Sequence, residues 1–412
     1  MATATLIKKP RRLRRLEEGP LGVYIDLFSA RLLKEGHCQQ SAWRNIKVVG
    51  DFSRWLARKG IAAERIDEDI VQHYMRFRAR CRHPSIFDRP ALNRLLAVLH
   101  EADVIAPKRS VSSSALEQIA EDFRRHLSQC GGYATTTIIS HLPTLRRFLS
   151  ECCPEGTSSF RKLVAADITG FVTRHAPEQS TRSTQRACWT LRSFLRYLRY
   201  KDLISIDLSG AVPSVRTWRF RSLPKYLSPA QVEKVLSAVD RTAPLGRRDY
   251  AILLLLARLG LRASEVATLC LEDIDWRSGE LTVRGKGRQR ARMPLPTDVG
   301  TAIADYLHQS RPQSESRRVF LREWAPHIGF SSGTNVTAIA WSALTRAGVD
   351  APSKGAHVFR HSLATQLLRA GASLTEIGQL LRHRSHDSTR IYAKVDLGAL
   401  RTLAMRWPGG DL

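Results

Sequence analysis

Apolar residues recur at helical spacing along most of the chain. In the first segment, residues 21–104, the stretches 24–33 and 43–56 place them three and four positions apart, on one face of a 3.6-residue period, which predicts an all-helical module. A polar break follows, with Pro107, Lys108, Arg109 and the serines Ser110, Ser112, Ser113 and Ser114, and reads as a linker. The second segment, residues 116–203, carries Phe123-x3-Leu127, then Leu142-x2-Leu145-x2-Phe148-Leu149, and a further helical stretch at 189–200. Arginines interleave on the opposite faces, as expected of a helical bundle whose outer side meets a polyanion. Phe28-x4-Leu33, Trp55-Leu56 and Asp69-Ile70 parallel Phe123-x3-Leu127, Phe148-Leu149 and Asp167-Ile168. Two readings of that parallel stand open: an internal duplication, or coincidence between amphipathic helices.

The pattern changes after residue 207. A Pro-containing connector, 207–226, alternates Arg216, Arg219, Arg221 and Lys225 with Trp218, Phe220 and Tyr226, which suits it to track a phosphate backbone. From 227 to about 407 helices mix with one hairpin: 280–284 as a strand, Gly285-Lys286-Gly287 as a turn, and 291–295 as the return. Ser228-Pro229 ahead of a helical run predicts an N-cap followed by proline in the first turn. The longest apolar run, 250–257, is far short of the roughly 20 residues that a membrane span needs and reads as a buried core helix.

Composition narrows the function. A chain of 412 residues predicts two or three domains, and 43% apolar with 25% charged residues is a globular balance. The formal charge of +27 favours a polyanionic partner, nucleic acid first. The basic stretch 8–15 is followed by no apolar segment, so it is no secretory signal, and a cytoplasmic location is expected. Seven cysteines without C-x-x-C spacing fit neither a disulfide framework nor a zinc site.

Five short stretches carry candidate chemistry. They are Leu259-Gly260-Leu261-Arg262-Ala263-Ser264-Glu265, Arg284-Gly285-Lys286-Gly287-Arg288, His357-Val358-Phe359-Arg360, Leu380-Leu381-Arg382-His383 and Thr389-Arg390-Ile391-Tyr392. Any one residue among them has a duller reading as a surface charge, a structural histidine or a packing aromatic, but six in order and at these intervals do not. Attack on a phosphodiester needs a nucleophile, charge relief at the nonbridging oxygens and a proton for the leaving group. Arg262 and Arg360 suit the oxygens, because a guanidinium is always charged and matches phosphate in a fork that lysine cannot reproduce.

In residue order and spacing, residues 227–407 resemble the tyrosine recombinase, or lambda-integrase, family, especially its Xer-like branch. The resemblance implies a mainly α fold with a small β-sheet: N-terminal helical, SAM-like DNA-binding segments and a mixed α/β catalytic domain. The expected divisions are a basic tail (1–20), a helical N-terminal module (21–108), a core-binding DNA-binding domain (112–206), a basic linker (207–226) and a catalytic domain (227–412). It implies Tyr392 as the nucleophile forming a 3′-phosphotyrosine, Lys286 as the donor to the 5′-oxygen, His357 assisting proton removal, His383 bonded to the phosphate, and Glu265 as a supporting carboxylate. No metal or other cofactor is implied. Double-stranded DNA is the expected partner, with Arg216, Arg219, Arg221, Lys225 and Arg288 as candidate DNA contacts. The expected assembly is a homotetramer on paired sites or a mixed tetramer with a related recombinase, and residues 395–405 read either as the exchanged helix or as a helix docked on its own domain. His361 and His386 read as ordinary polar neighbours. One departure stands out: many relatives have glycine where this chain has Arg382, which puts the local turn in question. A type IB topoisomerase-like relaxing enzyme and a noncatalytic DNA-binding accessory protein are the rival readings.

Overall fold

The computed structural model describes residues 16, 18–81, 85, 87–105, 115–216, 225–285, 290–383, 385 and 387–393. The chain divides into two units, residues 107–221 alone and residues 1–106 together with 222–412. The expectations for residues 1–15 of the basic tail, for the polar break at 107–114, for Arg219, Arg221, Lys286 and Arg288, for His386, and for the 395–405 helix fall outside the described residues.

The first segment is built of α1 (Ile25–Lys34), α2 (Gln39–Lys59), α3 (Glu68–Cys81) and α4 (Asp88–Glu101). Gly60, at φ +64°, ends α2 in the left-handed conformation that glycine adopts without steric cost. Asp67 starts α3 by accepting the Ile70 N–H at 2.8 Å. Phe28, Leu32, Phe52, Leu56 and Leu92 are fully buried between the helices. Leu32, and not Leu33, is the inward partner of Phe28, since Leu33 is 39% exposed. A residue four positions on lies over the same helix face and a residue five positions on does not.

Residues 107–221 hold α5 (Ala115–Gln129), α6 (Thr135–Cys152), α7 (Ala165–His175) and α8 (Thr181–Tyr200). Ser180 caps α8 by accepting the Ser183 N–H at 3.2 Å. Phe123, Phe148 and Phe194 are fully buried and Phe171 nearly so, meeting edge to face at 5.3 Å in the pairs Phe123–Phe194 and Phe148–Phe171. Arg182, Arg186, Arg196 and Arg199 line the exposed side of α8. Arg192 instead donates to the carbonyls of Val212 and Pro213, fastening the start of the connector. The two four-helix sets share their order, each with a 3-10 turn between its second and third helices, Ala63–Arg65 and Gly156–Lys162. With Leu32 as the inward residue the interval Phe28-x3-Leu32 equals Phe123-x3-Leu127, and both observations favour duplication over coincidence.

In the third segment Ser228 and Gln231 form the reciprocal cap of α9 (Pro229–Ser237). α10 (Pro244–Arg258) carries the apolar run, with Ala251 to Leu256 buried on every side, and ends at Gly260, φ +58°. After α11 (Ala263–Thr268) come β1 (Ile274–Asp275), β2 (Glu280–Arg284) and β3 (Arg290–Pro294), an antiparallel sheet in that order. Leu281 pairs with Met293, and both face inward. The helices α12 (Thr297–Gln309), α13 (Gly333–Arg346), α14 (Ala356–Arg369), α15 (Leu374–Leu380) and the short α16 (Asp387–Arg390) complete it. No helix among the described residues is long and apolar enough to cross a membrane.

Candidate active site

Three helix ends meet where the candidate residues lie. α10 stops at Gly260, whose left-handed turn leads the chain into Arg262, the residue that opens α11. A Cβ at Gly260 would sit 2.8 Å from Leu381 and 3.0 Å from Leu363, so the turn needs glycine for space as well as for its φ. Glu265, one turn into α11, takes the Arg262 backbone N–H at 2.9 Å and its guanidinium at 2.7 Å. Burial pushes the Glu265 carboxyl up, but the Arg262 N–H and the charges of Arg382 and Arg262 outweigh it and hold the group below its ordinary range.

Arg360, on α14, is buried and donates to the carbonyl of Gly260 at 2.5 Å and to that of Leu381. These are carbonyls that helix ends leave without an intrahelical donor, so one guanidinium ties the end of α10 to the end of α15. Desolvation, with Arg262 and Arg382 nearby, lowers its pKa to about 10, still protonated at neutral pH. His357 lies one turn before Arg360 on α14; its pKa is lowered by desolvation and by Arg360 and Arg262, although much of its surface is exposed.

Tyr392 is 1% exposed, in a small apolar cluster with Ala364, Ile377 and Leu381. Its hydroxyl lies 2.9 Å from Nδ1 of His361, and burial raises its pKa to about 12 against the opposing charge of Arg360. His383 stacks parallel to the Tyr392 ring at 6.4 Å and is oriented by Thr389, whose hydroxyl is 2.8 Å from its Nδ1. His361 and His383 are both lowered to about 4, first by burial and then by the cluster's other charges. Both imidazoles are therefore neutral at pH 7.

The structure thus brings Arg262, Glu265, His357, Arg360, His383 and Tyr392 into one neighbourhood. Arg216 and Lys225 are both exposed. Two residues carry more than the sequence indicated. His361, expected to be an ordinary polar neighbour, is the group that touches the Tyr392 hydroxyl; its signal was the i, i+4 spacing from His357 on one helix. Arg382 keeps the left-handed turn, at φ +55°, and pairs with Glu265 at 2.9 Å. Nothing in the residue string announces that pairing.

Comparison with known proteins gives a consistent result. Residues 225–397 match the phage integrase family, and residues 120–201 match the phage integrase N-terminal SAM-like domain. A putative integrase/recombinase, y4rA of Sinorhizobium fredii, is 45% identical over 96% of this chain and 97% of its own. A tyrosine recombinase XerD of Listeria monocytogenes is 31% identical over 68% of this chain and 95% of its own. Among solved structures, XerH site-specific recombinase bound to difH substrate in a pre-cleavage complex aligns with a TM-score of 0.54 at 18% identity, covering 82% of this chain and 95% of that one.

Proposed function

Because the chain belongs to the phage integrase family of tyrosine recombinases, enzymes that break and rejoin DNA strands, we propose that Tyr392 is its nucleophile and that Arg262 and Arg360 clamp the scissile phosphate. The observation that carries this reading is the convergence of two arginines, two neutral histidines and a buried tyrosine from separate helices. Attack by the Tyr392 oxygen on phosphorus forms the phosphotyrosine and breaks the bond to the 5′-oxygen, which takes a proton from Lys286. The phosphoester conserves the energy of the broken bond, so a 5′-hydroxyl from a second strand can reverse the step. His383, with Nδ1 engaged by Thr389, keeps Nε2 for a nonbridging oxygen. His357 and His361 supply neutral imidazole for the tyrosine proton.

Double-stranded DNA is the partner this chemistry requires, and the charge of +27 suits it. Arg216, Arg219, Arg221, Lys225 and Arg288 contact its backbone in this reading. The active form is a tetramer on paired sites, of this chain alone or mixed with a related recombinase, and its work is the movement or resolution of mobile DNA. The XerD relative matches 68% of this chain and y4rA 96% of it. We assign residues 21–108 as a second DNA-gripping module in addition to the 112–206 domain, with 207–226 as linker and 227–412 as catalytic domain.

The test is covalent capture on a nicked suicide substrate. Wild-type protein should become attached to DNA through tyrosine; Tyr392→Phe should bind the same DNA and form no attachment. Attachment by the Phe variant would remove Tyr392 from the mechanism. Joining of strands between two duplexes separates a recombinase from a relaxing enzyme of the topoisomerase kind.

A further inference from the structure

We propose that Arg382 is a positioning residue that aligns Arg262 and the His383 turn through the carboxylate of Glu265. The proposal rests on the assignment of Arg262 and His383 to the reacting phosphate. Among the described residues three non-glycine positions have positive φ, namely Asp103, Asp202 and Arg382. The two aspartates are short polar residues of the kind that visit this region readily; arginine is not. Something must therefore hold Arg382 there, and its side chain indicates what does.

One arm of the guanidinium, Nη2, reaches Glu265 Oε2 at 2.9 Å. The other, Nη1, donates to the Leu380 carbonyl at 3.1 Å and lies 3.3 Å from Met293 Sδ on β3. The backbone carbonyl of Arg382 in turn accepts from Arg262 Nη2 at 3.4 Å. Glu265 is thus a buried carboxylate held between two guanidiniums, its side chain 3% exposed, with that of Arg382 14% exposed. A buried carboxylate needs its partners, because water cannot take their place. With Arg382 present, the carboxylate is fixed from behind and presents Arg262 in one orientation. The same residue ties down β3, the return strand of the hairpin, and lies next to His383. A glycine at position 382 would satisfy the turn and leave Glu265 with Arg262 alone.

The experiment measures single-turnover cleavage of a suicide substrate by Arg382→Gly, Arg382→Asn and Arg382→Lys, with thermal unfolding and DNA affinity recorded for each. Glycine and asparagine both accept the left-handed backbone and both lack the guanidinium. Each should keep its fold and its DNA affinity and cleave about 10- to 100-fold more slowly, the range seen when an outer partner that orients a functional group is removed. Lysine, which keeps the charge, should fall between them and wild type. A second substrate carries a neutral methylphosphonate at the scissile position, which removes the charge that Arg262 relieves. There the defect of the Gly and Asn variants should shrink to a few-fold, which a general structural defect would not do. Wild-type rates in both variants, the same loss on both substrates, or unfolding of both variants would each overturn the proposal. Failure of wild-type protein to form the covalent species would instead overturn the underlying assignment of function.

Discussion

Tyr392 holds its proton more tightly than a free phenol, with a pKa raised to about 12 by burial, so at neutral pH it is a nucleophile only if a neighbour takes that proton. His361, on the Tyr392 hydroxyl, is available for such work because it is neutral, and the same shift in His361 and His383 makes the fold acid-sensitive. Both have folded pKa values of about 4 against the ordinary 6.5. Between those values the unfolded chain binds protons that the native state rejects, so stability is full above pH 6.5 and falls as pH drops toward 4. Partial exposure limits the effect to on the order of 1–3 kcal/mol per imidazole. Urea unfolding midpoints from pH 7 to 4 should decline, and His361→Gln should flatten the decline; an equal slope in that variant would remove His361 as its source. Lys286→Ala should slow cleavage by roughly 10²–10⁴-fold, the loss expected for a general acid. A substrate with sulfur at the 5′-bridging position needs little protonation, so an undiminished defect there would make Lys286 a positioning residue instead. The candidate residues are legible in the chain because phosphate chemistry restricts residue type and their order is fixed. The roles of His361 and Arg382 are not, since side-chain direction and a left-handed backbone on a long residue leave no mark in composition or spacing.

The elements follow from local rules and fail where those rules stop. The period-2 pattern and the Gly-Lys-Gly turn locate β2 at its observed bounds, and β3 begins and ends one residue before its expected position. Ser228 and Pro229 start α9 as expected, since capping joins near neighbours in the chain. Leu33 departs from its expected inward place because a five-residue step falls off the helix face. Gly260 joins two levels: its backbone ends α10 and its carbonyl holds Arg360. Gly260→Ala should therefore cost on the order of 1–3 kcal/mol for a side chain at positive φ, more if Leu381 and Leu363 cannot yield. It should also slow cleavage by moving Arg360. Thermal unfolding and single-turnover rates on the same samples test this; a stable variant with wild-type cleavage would mean that the turn has no hold on the clamp.

At the scale of the whole molecule the question is what residues 21–108 add. They repeat the helix order of the 112–206 domain, and Arg44, Lys47, Arg58 and Lys59 lie exposed on α2. If these meet DNA, every phosphate that deletion leaves without its cation should flatten the slope of log K against log salt by about 0.9. Deletion of 1–108 should weaken binding, shorten the footprint and reduce that slope, while Tyr392 still attacks a preformed suicide substrate. An unchanged footprint and slope with failure to pair two sites would assign the segment to protein–protein pairing. Collapse of the whole fold would make it part of the core, a result that the hydrogen bond from the His327 N–H to the Glu35 carbonyl, at 3.3 Å, makes worth checking.

A strongly basic protein spends much of its time on DNA that is not its target, bound by charge alone and passing from phosphate to phosphate. Each of those phosphates is chemically a fair victim for a recombinase. The walled-in ring of Tyr392, 1% exposed, with its oxygen already occupied by His361, presents nothing to strike them with. With Tyr392 as the proposed nucleophile, reaction demands close approach, with the attacking atom about 3–3.5 Å from phosphorus, and so demands that the ring first leave its shelter. In the proposed mechanism, off-target DNA should therefore go uncut, held safe by the packing of a few leucines and alanines around one ring.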